Sequence, residues 1–130
     1  MFSPNDLVSA RISADGRAVE FQSSYFASSL SRDVAWQVVE WSGVTVAHGS
    51  AVLREADLLV SVPWPTNIQR TAPHTLFTSY RATPDGDPFS PAGVLLLRGR
   101  SEPMGPGGAV LRFEREVAGY GLTVSWTLVE

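Results

Sequence analysis

Val34-Ala-Trp-Gln-Val-Val-Glu40 and Val124-Ser-Trp-Thr-Leu-Val-Glu130 carry one pattern, V-x-W-x-(V/L)-V-E. What precedes them also matches. Ala18-Val-Glu-Phe21 leads the first copy, and Ala109-Val-Leu-Arg-Phe113 leads the second at nearly the same distance. A strand–loop–strand unit written twice, at 18–40 and 109–130, points to an all-β domain with internal pseudo-symmetry, or to an array module. Valine and tryptophan suit a pleated, partly buried surface. Trp36 and Trp126 are the expected core anchors, each able to bury roughly 150–250 Å². Val34 to Trp41 is apolar on both faces, which predicts a central strand covered on both sides. Leu122 to Val129 alternates apolar and polar, which predicts a half-buried strand.

The rest of the chain carries strand signals of the same size. Leu7–Ile12 and Ala18–Gln22 flank Asp15-Gly16, a hairpin signal. Val44–Ala47 and Ser50–Leu53 are expected as separate strands around a turn at His48-Gly49. Leu58–Val62 is followed by Pro63-Trp64-Pro65, which should end its ladder because proline donates no backbone hydrogen bond. His74–Tyr80, Gly93–Arg98 and Ala109–Glu116 complete the set. The stretches Ser23–Asp33, Thr83–Pro91 and Glu102–Gly108 read as loops. No window holds a sustained helical period. Eight to nine short strands with Gly and Pro punctuation predict one antiparallel β-sandwich or barrel (Ig-like or jelly-roll-like) over residues 1–130.

Length and composition narrow the function. A chain of 130 residues buries enough surface for a core without covalent staples. It has no cysteine, so disulfides, thiolate metal sites and thiol nucleophiles are excluded. A net charge of −3 argues against nucleic acid as a partner, which calls for a basic patch. No apolar run reaches the ~20 residues of a membrane helix. Met1-Phe2-Ser3-Pro4 has neither a basic nor an apolar leader region, so no signal peptide is expected.

Candidate sites were weighed against structural roles. His48 and His74 lack the spacing and companions of a metal pair. No nucleophile elbow occurs. Glu114 and Glu116, beside Arg112 and Arg115, read as a solvated, ion-paired strand face rather than an acid–base pair. Asp85-Gly-Asp87 reads as a turn rather than a calcium loop. No catalytic residue, metal site or cofactor is therefore expected. Trp64, held off the ladder by its prolines, either plugs one end of the core or projects from a loop. In the second case Asn67, Arg70, His74, Tyr80 and Phe89 could gather around it as a binding surface. Such a group would suit sugar stacking or a protein contact.

The W-x-V-V-E strand, the turn and the short Val44-Thr-Val-Ala-His-Gly49 strand after it resemble uncharacterised β-sandwich modules of phage structural proteins and bacterial surface proteins. Leu95-Leu-Leu-Arg98, Leu111-Arg-Phe-Glu-Arg115 and the final V-x-W-x-L-V-E are similar to the end of such a module. The resemblance spans about three-quarters of the chain and carries no active residues. It implies a virion component: a capsid decoration, head or tail protein, made in the host cytoplasm. Such a protein would partner itself, for example as a trimer, and a capsid protein. Trp41 and Trp64 would then supply apolar contact if they are exposed. A fainter resemblance to H-type lectin domains implies the alternative, a carbohydrate-binding module with Trp64 and Tyr80 as stacking platforms for glycans.

Overall fold

The computed structural model describes residues 7–23, 34–86 and 96–130; for Ser23 and residues 84–86 only the backbone is described. Eight strands and no helix occur among them. In chain order they are β1 (Val8–Ile12), β2 (Val19–Ser23), β3 (Val46–Leu53), β4 (Leu59–Pro63), β5 (Thr75–Gly86), β6 (Arg98–Glu102), β7 (Val110–Glu114) and β8 (Tyr120–Val129). They form an antiparallel hairpin β1-β2 and two three-stranded antiparallel sheets, ordered β3-β8-β5 and β4-β7-β6. Neither sheet closes into a barrel. The fold is a β-sandwich.

The core lies between the two three-stranded sheets. Leu53, Leu122, Val124 and Leu128 face Leu111 and Phe113, and all six are fully buried. Each contributes roughly 1.5–3 kcal/mol by leaving water. The facing sheets come close at Gly99 of β6, where a Cβ would sit 3.0 Å from Cγ2 of Thr78 on β5. Along β7 the alternation is strict. Leu111 and Phe113 point inward, while Arg112 and Glu114 point outward. There Arg100 pairs with Glu114 at 2.9 Å and Arg112 with Glu102 at 3.1 Å. The ion-paired face expected at Glu114 and Arg112 is present.

Arg115 departs from that expectation. It is buried, not solvated. Its guanidinium donates to the carbonyls of Asp57 (2.8 Å), Arg54 (2.8 Å), Glu55 (3.0 Å) and Tyr120. Burial lowers its pKa, and the charge of Asp57 acts the other way. One cation thus satisfies carbonyls of the β3–β4 connection and of the start of β8, groups that would be costly to bury unpaired. Glu116 lies beyond the end of β7 and is exposed.

Two glycines correct the sequence reading, one in β3 and one at the end of β5. His48-Gly49 forms no turn; the strand runs unbroken from Val46 to Leu53. Gly49 is opposite Trp126 in the ladder, and a Cβ there would meet the indole Cζ2 at 2.5 Å. The residue is glycine because a tryptophan lies flat on it, a strand use of glycine that sequence cannot tell from a turn. Gly86 ends β5, which runs through Pro84-Asp85 where a loop was expected, with a register shift after Ala82. The strand expected at Gly93–Arg98 begins only at Arg98 among the described residues.

The hairpin covers the outer face of the β3-β8-β5 sheet. Ala10 donates its N–H to Ser79 Oγ (3.0 Å), and the Ser79 hydroxyl donates to Ala10 O (3.1 Å). Ser9 and Ser125 are buried in the process. β8 is therefore the central strand of its sheet, with β3 and β5 on its flanks and cover over parts of both faces. The sequence assigned that place to Val34–Trp41. That segment instead forms no strand, and all its residues are exposed. Trp36 is 63% exposed and is no core anchor, whereas Trp126 packs against the core.

Candidate functional site

The connection from β4 to β5 holds most of the residues singled out by sequence. Pro63 pairs with Val110 as the last rung of the β4–β7 ladder. Trp64 N–H then donates to Ala109 O at 3.1 Å. The chain turns back, with Ile68 N–H donating to Pro65 O (3.2 Å). That turn brings Ile68 O to the indole, which donates Nε1–H to it at 2.8 Å. Trp64 is 7% exposed. It closes one end of the core and does not project from a loop. The sequence signal, two flanking prolines, excluded a ladder position but left burial open.

His74 stands edge-on to Trp64 at 5.1 Å. Its Nδ1 contacts Ala72 O (3.0 Å) and its Nε2 contacts Ser101 Oγ (2.8 Å). A carbonyl can only accept, so Nδ1 carries a proton. The pair ties this connection to β6. Asn67 Nδ2 donates to Val46 O at 3.2 Å, and Gln69 N–H donates to Glu130 Oε2 at 2.6 Å. Arg70 is exposed. Tyr80 lies six residues along β5 from His74, roughly 20 Å at 3.3 Å per residue. It packs half-buried against the core. Phe89 and Asp87 lie outside the described residues. Trp64, Asn67, Arg70 and His74 thus share one connection, but Tyr80 does not join them and Trp64 offers no free ring face for a sugar.

Two concavities remain. One, of about 290 Å³, lies between the β1-β2 hairpin and the outer face of β3 and β8. Its lining is mixed: His48, Ser50 and Thr127 with Arg11 and Glu20, which form an ion pair at 2.5 Å, stand beside Ile12 and Trp126. The other, of about 570 Å³, is apolar, with Leu58, Leu59, Leu96, Leu97 and Val117 inside a rim of Arg98, Glu114 and Glu116. Leu96 is 68% exposed. Among the described residues no three of His, Cys, Asp or Glu gather in a way that could hold a metal ion. Among the described residues no helix is long and apolar enough to cross a membrane.

Among the described residues, the segment 34–44 gathers the longest run of exposed large apolar side chains. Val34, Trp36, Val38, Val39, Trp41 and Val44 are all exposed, and its one described ring contact sets Trp36 against Phe21 of β2 at 6.2 Å. Sequence reasoning missed this surface because apolar residues on both faces normally mean burial on both faces. What the described residues present is contact area rather than a reacting group. Comparison with family models, with curated proteins and with solved structures finds no match.

Proposed function

We propose that this chain is a structural subunit that associates with itself and with other proteins of an assembly. One observation carries the reading: two tryptophans and several valines of a β-prone segment stand in solvent, and a separate apolar cleft lies at Leu58, Leu59 and Leu96. Monomeric proteins rarely leave contiguous apolar patches of this kind uncovered. The resemblance of the strands to modules of phage structural proteins directs the proposal to a virion decoration, head or tail component. The carbohydrate reading relied on Trp64 and Tyr80; Trp64 is buried, and Tyr80 packs half-buried against the core.

Sedimentation velocity of the purified chain tests the proposal. The expected result is a discrete oligomer that grows with concentration, together with retention on capsid or tail particles of its source. A monomer at every concentration that also fails to bind particles overturns it.

A further inference from the structure

Resting on the reading of the chain as an assembly subunit, we propose that Val34–Trp41 is a docking strand that adds to the free edge of β3 in a second copy of this chain. Four observations lead there.

The segment repeats the sequence of a strand that already pairs with β3. Val34, Trp36, Val38 and Glu40 correspond to Val124, Trp126, Leu128 and Glu130 of the β8 repeat, and β8 pairs antiparallel with all of β3. A sequence competent for one edge of β3 is competent for the other, since both offer the same alternating backbone groups.

The free edge of β3 has unpaired backbone groups at matching length. Thr45 and Glu130 exchange both N–H···O bonds, at 3.0 and 2.9 Å. Alternation then directs the backbone groups of Val46, His48, Ser50 and Val52 away from β8. Val46 O accepts from Asn67; among the described residues none bonds the groups of His48, Ser50 and Val52. β3 spans eight residues, as does 34–41. The opposite edge of this sheet, on β5, is less open, because Ala82 there has a further partner.

The segment cannot close on its own β3 as a tight hairpin. Ser42 and Gly43 form the connecting turn. Gly43 has φ of +79°, while no non-glycine residue among those described has positive φ. Two-residue hairpin turns of the primed types need positive φ at their first central position, here Ser42. Among the described residues the segment does not pair with its own β3, so a neighbour can take it.

Finally, addition would cover apolar side chains on both faces of the strand: Val34, Trp36 and Val38 on one, Val39 and Trp41 on the other. Val46 and Val52, exposed on the outer face of β3, would gain neighbours. Such strand addition draws affinity from main-chain hydrogen bonds and specificity from alternate side chains.

Val38→Pro is the decisive variant. It removes a ladder donor from a segment outside the core, so the fold remains intact by near-UV circular dichroism. Sedimentation velocity and hydrogen exchange should be run on wild type and V38P together. The expected result is a wild-type oligomer in which the amides of His48, Ser50 and Val52 are protected. V38P should associate at least about tenfold more weakly and leave those amides open, because a central proline is excluded from a paired strand. An oligomer unchanged in V38P overturns the docking strand while leaving the assembly reading standing. A wild-type chain that stays monomeric yet binds particles also overturns it, since the partner is then another protein. A monomer that binds nothing overturns both.

Discussion

Val34–Glu40 and Val124–Glu130 share a pattern and have opposite fates. The second copy is the central strand of its sheet, paired on both edges, with Val124 and Leu128 fully buried and Ser125 beneath the hairpin. The first forms no ladder and exposes Trp36, with Trp41 just after it exposed as well. The two copies occupy unrelated places in the domain. Local sequence makes a strand possible, but neighbours decide whether it becomes one. β8 is flanked by β3 and β5, and Gly49 opens a seat for its indole. Among the described residues, the segment 34–41 has no strand paired alongside it.

The sharpest test of this contrast is the pair of matched truncations. Trp126→Ala removes a ring packed on Gly49 and the core, and should destabilise the fold by about 3–5 kcal/mol. Trp36→Ala should change monomer stability by less than about 0.5 kcal/mol, because it acts on an exposed side chain. Urea unfolding at low protein concentration measures both. Equal losses from the two would show that the first copy is also a core strand.

Next in size is the seat itself. Gly49→Ala forces a methyl into the indole and should cost about 1–3 kcal/mol. Adding Trp126→Leu should recover part of that loss, since residues in contact are coupled. Strict additivity of the two substitutions would break the assignment of Gly49 to close packing.

The smallest effect concerns the turns that separate a closed hairpin from an open segment. Between β1 and β2 the loop closes through Gly16 N–H to Ser13 O (2.9 Å) and Arg17 N–H to Asp15 Oδ1 (3.1 Å). Hydrogen bonds from Ser13, then from the Arg17 backbone, hold the Asp15 carboxyl below its ordinary 3.8. A carboxyl with a lowered folded pKa stabilises the fold above its unfolded value and loses that contribution as pH falls through the folded value. The hairpin should therefore hold through the ordinary carboxylate range and loosen only at lower pH. Following the Arg17 amide by NMR should give a midpoint under 3.8; a midpoint at or above it would detach Asp15 from the turn. The Ser42-Gly43 turn, with no such side-chain clasp, should show no comparable transition.

Much of the scaffold was legible. The hairpin around Asp15-Gly16, the strands at Leu58–Val62 and Ala109–Glu116 and the alternation of β8 follow from period-two patterning and turn chemistry, which act over a few residues. The candidate site was much less legible. Trp64 was marked by its prolines, but whether its ring turned inward depended on Ile68 O meeting the indole. Arg115 gave no signal, since a lone arginine at a strand end looks solvated until the β3–β4 connection and the start of β8 bring their carbonyls around it.

By itself the sequence determined an antiparallel all-β domain, sandwich or barrel, without thiol chemistry, because alternation and punctuation are local properties that each strand states for itself. Only the tertiary structure decided which of two near-identical strands is buried. Burial depends on which edges and faces the rest of the chain brings alongside, and that is a property of partners, not of the strand.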